Sequence, residues 1–221
     1  MTTVAPVAMQ RNVNFKGMSQ SENGVPYHKS NTGLIMGSII GGIGAISHFG
    51  DGSFADMVQK SYKTGAANIP DEALKSIEKM KKFSVPFALI AAAMSIGCGV
   101  LVDNIRNKKA AETADVVASS RNINEAFIRD ENLQLDKYGL PYHHSNTGTK
   151  IGALLGSVCG VTHGLMTTAS ANSVKIKALY AVSSAISMAL AGWGVGALYD
   201  KIVNGKAQDA SMKIYARQAQ M

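Results

Sequence analysis

The chain has 221 residues, of which 46% are hydrophobic and only 17% are charged, and its formal net charge is +7. The charged fraction is well below the roughly 25% that is usual for soluble domains. The basic residues are scattered and aromatic residues make up only 6%. The chain therefore lacks the basic stripe with interleaved aromatic side chains that is typical of nucleic-acid-binding proteins, and we expect no nucleic acid among its partners.

The beginning of the chain is polar and contains no apolar core of the kind that a signal peptide requires. We expect residues 1–25 to form a flexible N-terminal tail. The two cysteines, Cys98 and Cys159, lie within apolar runs and lack the spacing of a zinc site or of a disulfide framework. We interpret both as small packing residues.

One polar stretch occurs twice in the sequence. Residues 26–33 read Pro-Tyr-His-Lys-Ser-Asn-Thr-Gly, and residues 141–148 read Pro-Tyr-His-His-Ser-Asn-Thr-Gly. The Ser, Asn and Thr side chains of each copy can accept hydrogen bonds from the free N–H groups at a helix start. Each copy is also followed by a glycine-rich apolar run. The pattern predicts an internal duplication in which each repeat opens with a capped helix.

The duplication divides the chain into five predicted segments. After the tail, residues 26–105 are predicted to form the first helical-hairpin repeat, and residues 138–205 the second. The stretch between them, 106–137, is highly charged and is predicted to be a helical linker that lies on a membrane face. A polar C-terminal tail is expected over residues 206–221.

Four apolar runs, two in each repeat, are predicted to be helices. Each is close to the roughly 20 residues that are needed to cross a bilayer, and Lys150 is the only charged residue within them. We also expect a short amphipathic surface helix that starts at Pro70. Helices A and B of the two repeats are predicted over residues 33–49, 83–102, 148–169 and 178–199.

Small residues recur every four positions along these runs, which places them on one face of each helix. Glycine weakens a water-exposed helix by about 1 kcal/mol relative to alanine, whereas in a membrane a glycine row allows two helix backbones to approach closely. We expect Gly37 and Gly41 to pack against Gly152 and Gly156, between the two A helices. The predicted helix-packing residues are Gly33, Gly37, Gly41, Gly97, Gly99, Gly148, Gly152, Gly156, Gly160, Gly194 and Gly196.

The predicted fold is all-α: a membrane-embedded four-helix bundle built from two tandem glycine-rich helical hairpins, with short amphipathic surface helices. The alternative is a soluble bundle, but its helices should carry charged residues on an outer face, and residues 83–102 carry none. Four spans place both termini and the linker on one side, which then holds most of the 22 Lys and Arg residues. The positive-inside rule therefore favours a multi-pass membrane protein with cytoplasmic termini.

The histidines supply a candidate polar site. A helical hairpin returns the end of helix B to the start of helix A, which should bring acidic residues at the B ends towards histidines of the repeated stretch. Imidazole titrates near neutral pH, so such a cluster could carry protons. The alternative is that these side chains anchor the headgroup level and cap helix ends. The candidate cluster comprises His28, Asp103, His143, His144 and Asp200.

No nucleophile elbow, phosphate-binding loop, dinucleotide fingerprint or paired metal motif occurs in the sequence. We therefore expect neither an enzyme nor a cofactor or metal ion. The predicted function is structural: a membrane scaffold or assembling subunit, whose partners are the lipid bilayer and further copies of the chain or other membrane subunits. The alternative is a passive channel or transporter for a small solute or ion, with a path between the two repeats. Its lining would use Ser38, Ser47, Ser95, Thr162 and Ser187.

Overall fold

The structure is a computed structural model that describes residues 17–65, 68–167 and 173–218. Residues 1–16, most of the predicted N-terminal tail, lie outside the described residues. The chain is predominantly helical, in agreement with the sequence. Its helices are α1 (Thr32–Lys63), α2 (Asp71–Ser119), α3 (Ile123–Arg129), α4 (Thr147–Thr167) and α5 (Val174–Gln218). Its strands are β1 (Met18–Gln20), β2 (Pro26–His28), β3 (Leu133–Leu135) and β4 (Pro141–His143).

The long helices extend beyond the apolar runs from which they are predicted. α2 continues through Pro86, so the surface helix expected from Pro70, helix B and the first part of the linker form one element. α5 continues to Gln218, so the predicted polar tail is helical over residues 206–218. The added segments are rich in Ala and Lys, which favour the helical conformation in water.

The repeated Pro-Tyr-His sequence forms a three-residue β-strand in both copies, an element that the sequence does not predict. β1 pairs with β2 and β3 with β4, each antiparallel, and Tyr27 and Tyr142 occupy the middle positions of their strands. The turns contain Gly24 and Gly139, whose φ angles of 77° and 78° suit glycine. Residues 17–25 therefore belong to a two-stranded ribbon, where the sequence predicts a flexible tail.

The chain divides into two compact units. One unit is the hairpin Gly33–Leu101, in which α1 packs antiparallel to the first part of α2 and Lys81 forms an ion pair of 2.6 Å with Asp56. The larger unit comprises Met1–Thr32 and Val102–Met221. In the larger unit, α5 packs against α4 along their length and contacts both β2 and β4.

Large apolar side chains lie mostly on the outside of the long helices. Among the described residues, three helical segments are long and apolar enough to cross a membrane: Thr32–Lys63, Lys81–Ser119 and Val174–Ala216. Only 11–17% of the most apolar stretch of each is buried. α4, the core of the fourth predicted span, is not among them; it carries Lys150 and His163. Exposed apolar side chains of this density are typical of a lipid-facing surface rather than a water-facing one.

Candidate functional site

The core of the larger unit is unusually polar for the interior of a protein. Charged and polar residues are normally exposed unless they are paired, yet here many are at most 9% exposed. We call this group the polar core, and its members come from the β-ribbons, the segments that start α1 and α4, and the second halves of α2 and α5. They are Ser30, Thr32, Asp103, Arg106, Asn107, Thr113, His143, Ser145, Thr147, Asp200 and Asn204.

Two asparagines hold the polar segments that precede α1 and α4. Asn107 accepts a hydrogen bond from the Ser30 N–H at 2.7 Å and donates one to the Ser30 carbonyl at 2.8 Å. Asn204 forms the same two bonds with Ser145, at 2.7 and 2.9 Å. Each carboxamide thus bonds both the backbone N–H and the backbone carbonyl of one serine, as a neighbouring β-strand would do. We call these two arrangements the asparagine clamps.

Serine side chains cap the helices that follow the clamps. The Ser30 hydroxyl accepts a hydrogen bond from the Thr32 N–H at 3.0 Å, and the Ser145 hydroxyl accepts one from the Thr147 N–H at 3.2 Å. In both copies of the repeated sequence, the serine therefore caps the helix that follows, as predicted. Capping of this kind stabilises a helix start by about 1 kcal/mol.

The two predicted aspartates bind hydrogen-bond donors in the polar core. Asp200 accepts hydrogen bonds from the backbone N–H groups of Gly148 and Thr149 at 3.0 and 2.8 Å, which places its carboxylate at the N-terminus of α4, where the helix dipole favours a negative charge. Asp103 accepts a hydrogen bond from the Tyr199 hydroxyl at 2.9 Å. Asp200 thus caps a helix start, whereas Asp103 holds α5 against α2.

Arg106 is fully buried on α2 and was not among the predicted site residues. Its Nη1 donates to the His28 carbonyl and, at 3.3 Å, to the Asn107 side chain. Its Nε and Nη2 have no hydrogen-bond partner within the described part of the chain. These two nitrogens form one edge of the planar guanidinium, the edge that can bind both oxygens of a carboxylate. A buried charged group with free donors is costly.

His143 is buried and His28 is half-buried, and both lie near Arg106. Burial, followed by the positive charge of Arg106, lowers the pKa of each to about 4, so both imidazoles are neutral at neutral pH. The Nδ1 of His143 lies 2.8 Å from the Thr113 hydroxyl. That hydroxyl has a single proton, and its other partners, the Asp130 carboxylate and the Lys109 carbonyl, can only accept. His143 therefore donates through Nδ1, which leaves a lone pair on Nε2.

The predicted histidine–aspartate cluster is thus only partly assembled. His28 and His143 lie on one cavity together with Arg106, whereas Asp200 binds the start of α4. His144 packs edge-on against Tyr142, at 6.3 Å between ring centroids. Within residues 17–65, 68–167 and 173–218, no group of three or more His, Cys, Asp or Glu side chains is arranged to hold a metal ion.

The cavity beside Arg106 has a volume of about 90 Å³. Arg106 is the only charged side chain among its described lining residues. Two histidines, Thr113, Ser211 and three tyrosines supply the other polar side chains. Much of the remaining wall is apolar or small, and it includes Val25, Ala114, Val117, Leu133 and Ile214. Such a mixture of an apolar wall and a few polar groups is typical of a small-molecule site. We call this space the Arg106 cavity.

Glycines form a continuous row of close contacts between α4 and α5. A Cβ atom on Gly152 would overlap the carbonyl of Gly192, and one on Gly156 would overlap that of Met188. The same holds for Gly148 against Gly196 and for Gly160 against Ser184. The faces of Gly152 and Gly156 are therefore occupied by α5, so the predicted packing of these glycines against the other A helix is wrong.

The α1–α2 hairpin contains a second row of close contacts. A Cβ atom on Gly37 would overlap the Ser95 carbonyl, one on Gly41 would lie 3.0 Å from Ala92, and one on Gly99 would overlap the Gly33 carbonyl.

Two glycines of the predicted packing set make no such contact. Apart from the adjacent residues and the surrounding turns of its own helix, no atom of the described chain lies within 4 Å of a Cβ placed on Gly97 or Gly194. Conversely, Gly164 and Gly192 pack closely, against Tyr180 and Ala181 and against Gly152 respectively, although neither belongs to the predicted set. Within the described chain, Gly97 and Gly194 therefore do not take part in close helix packing.

The sequence did not predict Arg106, Asn107 or Asn204 as site residues, although the internal repeat does indicate the two asparagines. The alignment of Gly97–Ile105 with Gly194–Ile202 continues for two more positions and pairs Asn107 with Asn204. Arg106, by contrast, aligns with Val203, so the repeat gives no indication of its role. Comparison with family models, with curated proteins and with solved structures finds no match for the chain.

Proposed function

We propose that the chain is a multi-pass integral membrane protein with a structural or assembly role. The observation that carries this proposal is the exposure of large apolar side chains along the long helices. Ile43, Leu89, Leu179 and Leu190 are each at least 64% exposed. Burying such side chains in a bilayer removes apolar area from water, at about 25 cal/mol per Å².

In this proposal, the protein consists of two copies of one capped helical hairpin. The asparagine clamps, the serine caps and the strand pairing recur with equivalent residues at Ser30 and at Ser145. The glycine rows close each hairpin by backbone contact, which is the packing used where no hydrophobic effect acts between helices. The apolar faces outside these rows then remain for lipid, for further copies of the chain or for other membrane subunits.

The proposed topology places the polar core on the cytoplasmic side of the membrane. The start of α1, the end of the apolar part of α2, the start of α4 and the end of the apolar part of α5 all contribute to this core. Within the larger unit, Lys206 of α5 donates to the Thr32 hydroxyl at 3.2 Å. Basic residues near this surface agree with the positive-inside rule.

A channel between the repeats receives less support. Ser38 and Thr162, two of the hydroxyl residues expected to line it, donate to carbonyls of their own helices, Leu34 and Val158, at 2.8 and 3.0 Å. A hydroxyl bonded in this way has its proton engaged and offers less to a passing solute. Flux of small solutes into liposomes that contain the purified chain would overturn this choice between scaffold and channel.

The experiment that tests the proposal is carbonate extraction followed by cysteine labelling. Cys98 and Cys159 are first replaced by Ser, and a single Cys is then introduced at Ser61, near the end of α1, or at Ser120, just after α2. We expect the protein to remain in the membrane pellet and the two sites to label from opposite sides. Recovery in the supernatant, or labelling of both sites from one side, would contradict the proposal.

A further inference from the structure

We propose that a basic cleft between the β1–β2 ribbon and the second half of α5 binds the phosphorylated inositol headgroup of a membrane lipid. The cleft is bounded by residues 17–18, residues 28–32 and α5 over residues 206–214, all within the larger unit. Its volume of about 800 Å³ lies within the roughly 300–1,000 Å³ of ligand-binding clefts. We call it the lysine cleft. The inference rests on the proposed membrane role and adds a partner to it.

Three ammonium groups give the lysine cleft its positive charge. Lys29, Lys206 and Lys213 line it, and all three residues are exposed. None of them forms an ion pair within the described part of the chain, although Asp209 lines the cleft as well. His28 also lines it, but the lowered pKa of this residue keeps it neutral at neutral pH. A phosphate can therefore bind the lysines through charge-assisted hydrogen bonds without displacing an acidic side chain.

The order of the charges along α5 matches a phosphate, a ring that carries hydroxyl groups and a second phosphate. Lys206, Asp209 and Lys213 follow one another at spacings of three and four residues, so they share one face of the helix. At 1.5 Å per residue, the two lysines are about 10 Å apart along the helix axis. The carboxylate between them repels a phosphate but accepts hydrogen bonds from hydroxyl groups. An inositol ring with a phosphate on either side presents these groups in the same order.

The proposed topology places the inner end of the lysine cleft at the level of the lipid headgroups. Lys206 donates to the hydroxyl of Thr32 at 3.2 Å, and Thr32 directly precedes the apolar run of α1. Lys206 also lies about 9 Å along α5 beyond Asp200, where the apolar part of that helix ends. The headgroup layer on each side of a bilayer is about 5–8 Å thick. The phosphodiester of a lipid can therefore reach Lys206, and a second phosphate on the ring extends to Lys213.

The second copy of the repeat has an anion of its own at the equivalent place. The internal repeat pairs Thr113 of α2 with Ala210, a residue of the cleft wall. The hydroxyl of Thr113 donates to the carboxylate of Asp130. Residues 1–16, which precede the β1–β2 ribbon, contain no Asp or Glu, so they offer no counterpart of this carboxylate to the lysine cleft. We assign the counterpart to an anion from outside the chain.

The test uses the full chain in nanodiscs of phosphatidylcholine that also contain phosphatidylinositol monophosphate or phosphatidylserine, at equal total negative charge. Native mass spectrometry identifies the lipids that stay bound when the protein is released. We expect the phosphorylated inositol lipid to be retained in preference to phosphatidylserine, which has no ring hydroxyls. Equal retention of the two lipids would overturn this proposal and leave the membrane role intact. Failure of the chain to enter nanodiscs would overturn both.

A soluble ligand distinguishes a lipid from a free phosphate compound. The free inositol bisphosphate headgroup has the same ring and the same two phosphates, but no acyl chains hold it at the membrane. We expect it to compete with the lipid only at much higher concentration. Competition at equal concentration would assign the cleft to a soluble phosphate compound and overturn the lipid assignment.

Three variants locate the site. Lys213→Gln removes the outer ammonium and should lower the affinity for the inositol lipid about fivefold, the effect of one charged contact at an exposed site. Asp209→Ala should also weaken binding, because the ring hydroxyls lose their acceptor; tighter binding would overturn the assignment of a hydroxyl-bearing ring. Lys108→Gln removes an exposed positive charge of α2 outside the cleft and should leave binding unchanged. Unaltered affinity in the Lys213 variant, or an equal loss in the Lys108 variant, would show that the lipid binds elsewhere.

Discussion

The hydroxyl of Tyr199 donates a 2.9 Å hydrogen bond to the carboxylate of Asp103, across 96 positions of sequence. Both residues are buried, with exposed fractions of 3% and 5%. Tyr199 belongs to α5 and Asp103 to α2, so this bond joins two helices that pass through the polar core. Hydrogen bonds to a charged partner are among the stronger ones in proteins.

Removing this hydroxyl should destabilise the larger unit. Tyr199→Phe keeps the ring but takes one donor from a buried carboxylate, and we expect the free energy of unfolding to fall by about 1.5–3 kcal/mol. SDS titration of the purified protein in mixed micelles measures this change. Tyr180→Phe, at a half-exposed position of the same helix, is the matched control and should change little. Equal stability of the Tyr199 variant and the wild type would contradict this role of the hydroxyl.

The asparagine clamps should be equivalent in strength. Asn107→Ala or Asn204→Ala leaves an N–H and a carbonyl of the clamped serine without their partner, and each should lower the free energy of unfolding by about 2 kcal/mol. Asn104→Ala, on an exposed face of α2, serves as control. If the Asn104 variant loses as much stability as the Asn107 variant, the clamp is not the cause.

Neighbouring glycines of α5 should respond to alanine with opposite signs. Gly192 and Gly196 face carbonyls of α4, so Gly192→Ala and Gly196→Ala force the helices apart and should destabilise the protein. Gly194 faces open space, so Gly194→Ala should be neutral or stabilise by up to about 1 kcal/mol, the difference in helix propensity. Thermal unfolding in detergent distinguishes the two signs.

Gly152→Leu provides the stronger form of this test. The larger side chain cannot be accommodated against Gly192, so we expect a loss of folded protein or of its native oligomeric state on size-exclusion chromatography. Unchanged elution and unchanged melting temperature would show that the α4–α5 contact is looser than described.

Acid should weaken the folded state through the buried histidines. The ordinary pKa of 6.5 applies to the unfolded chain, while burial and Arg106 lower the folded pKa of His28 and His143 to about 4. Between these values the unfolded state binds more protons, so stability falls as the pH drops from about 6.5 towards 4 and levels off below it. His143→Gln should reduce this loss. The measurement compares the free energy of unfolding of the variant and of the wild type across this pH range. A pH profile of the His143 variant that matches the wild-type profile would contradict the assignment.

The repeated sequence allowed part of the site to be anticipated. The caps at Ser30 and Ser145 follow from local chemistry, because a side-chain oxygen placed before a helix binds N–H groups within reach of the same segment. The β-strands at Tyr27 and Tyr142 could not be anticipated in this way, since three residues of strand are stable only when a partner strand is paired with them.

Helix geometry explains why the glycine predictions succeeded at some positions and failed at others. Residues two apart on a helix point in nearly opposite directions, so Gly97 and Gly99 cannot both face α1, nor can Gly194 and Gly196 both face α4. The four-residue spacing correctly identified one face of each helix. Which other helix covers that face is a long-range property, and the expected contact between the A helices is for this reason replaced by contacts within each hairpin.

The sequence by itself determined the helical character of the chain, the positions of the caps and the apolar runs, because these depend on residues close together in the chain. Only the tertiary structure decided the surroundings of Arg106. Its aligned counterpart is Val203, both are fully buried, and no local pattern predicts a buried charge. Its surroundings come from β2, β4, α2 and α5, which meet only after folding, because desolvation and hydrogen bonding at such a site depend on which distant groups surround it.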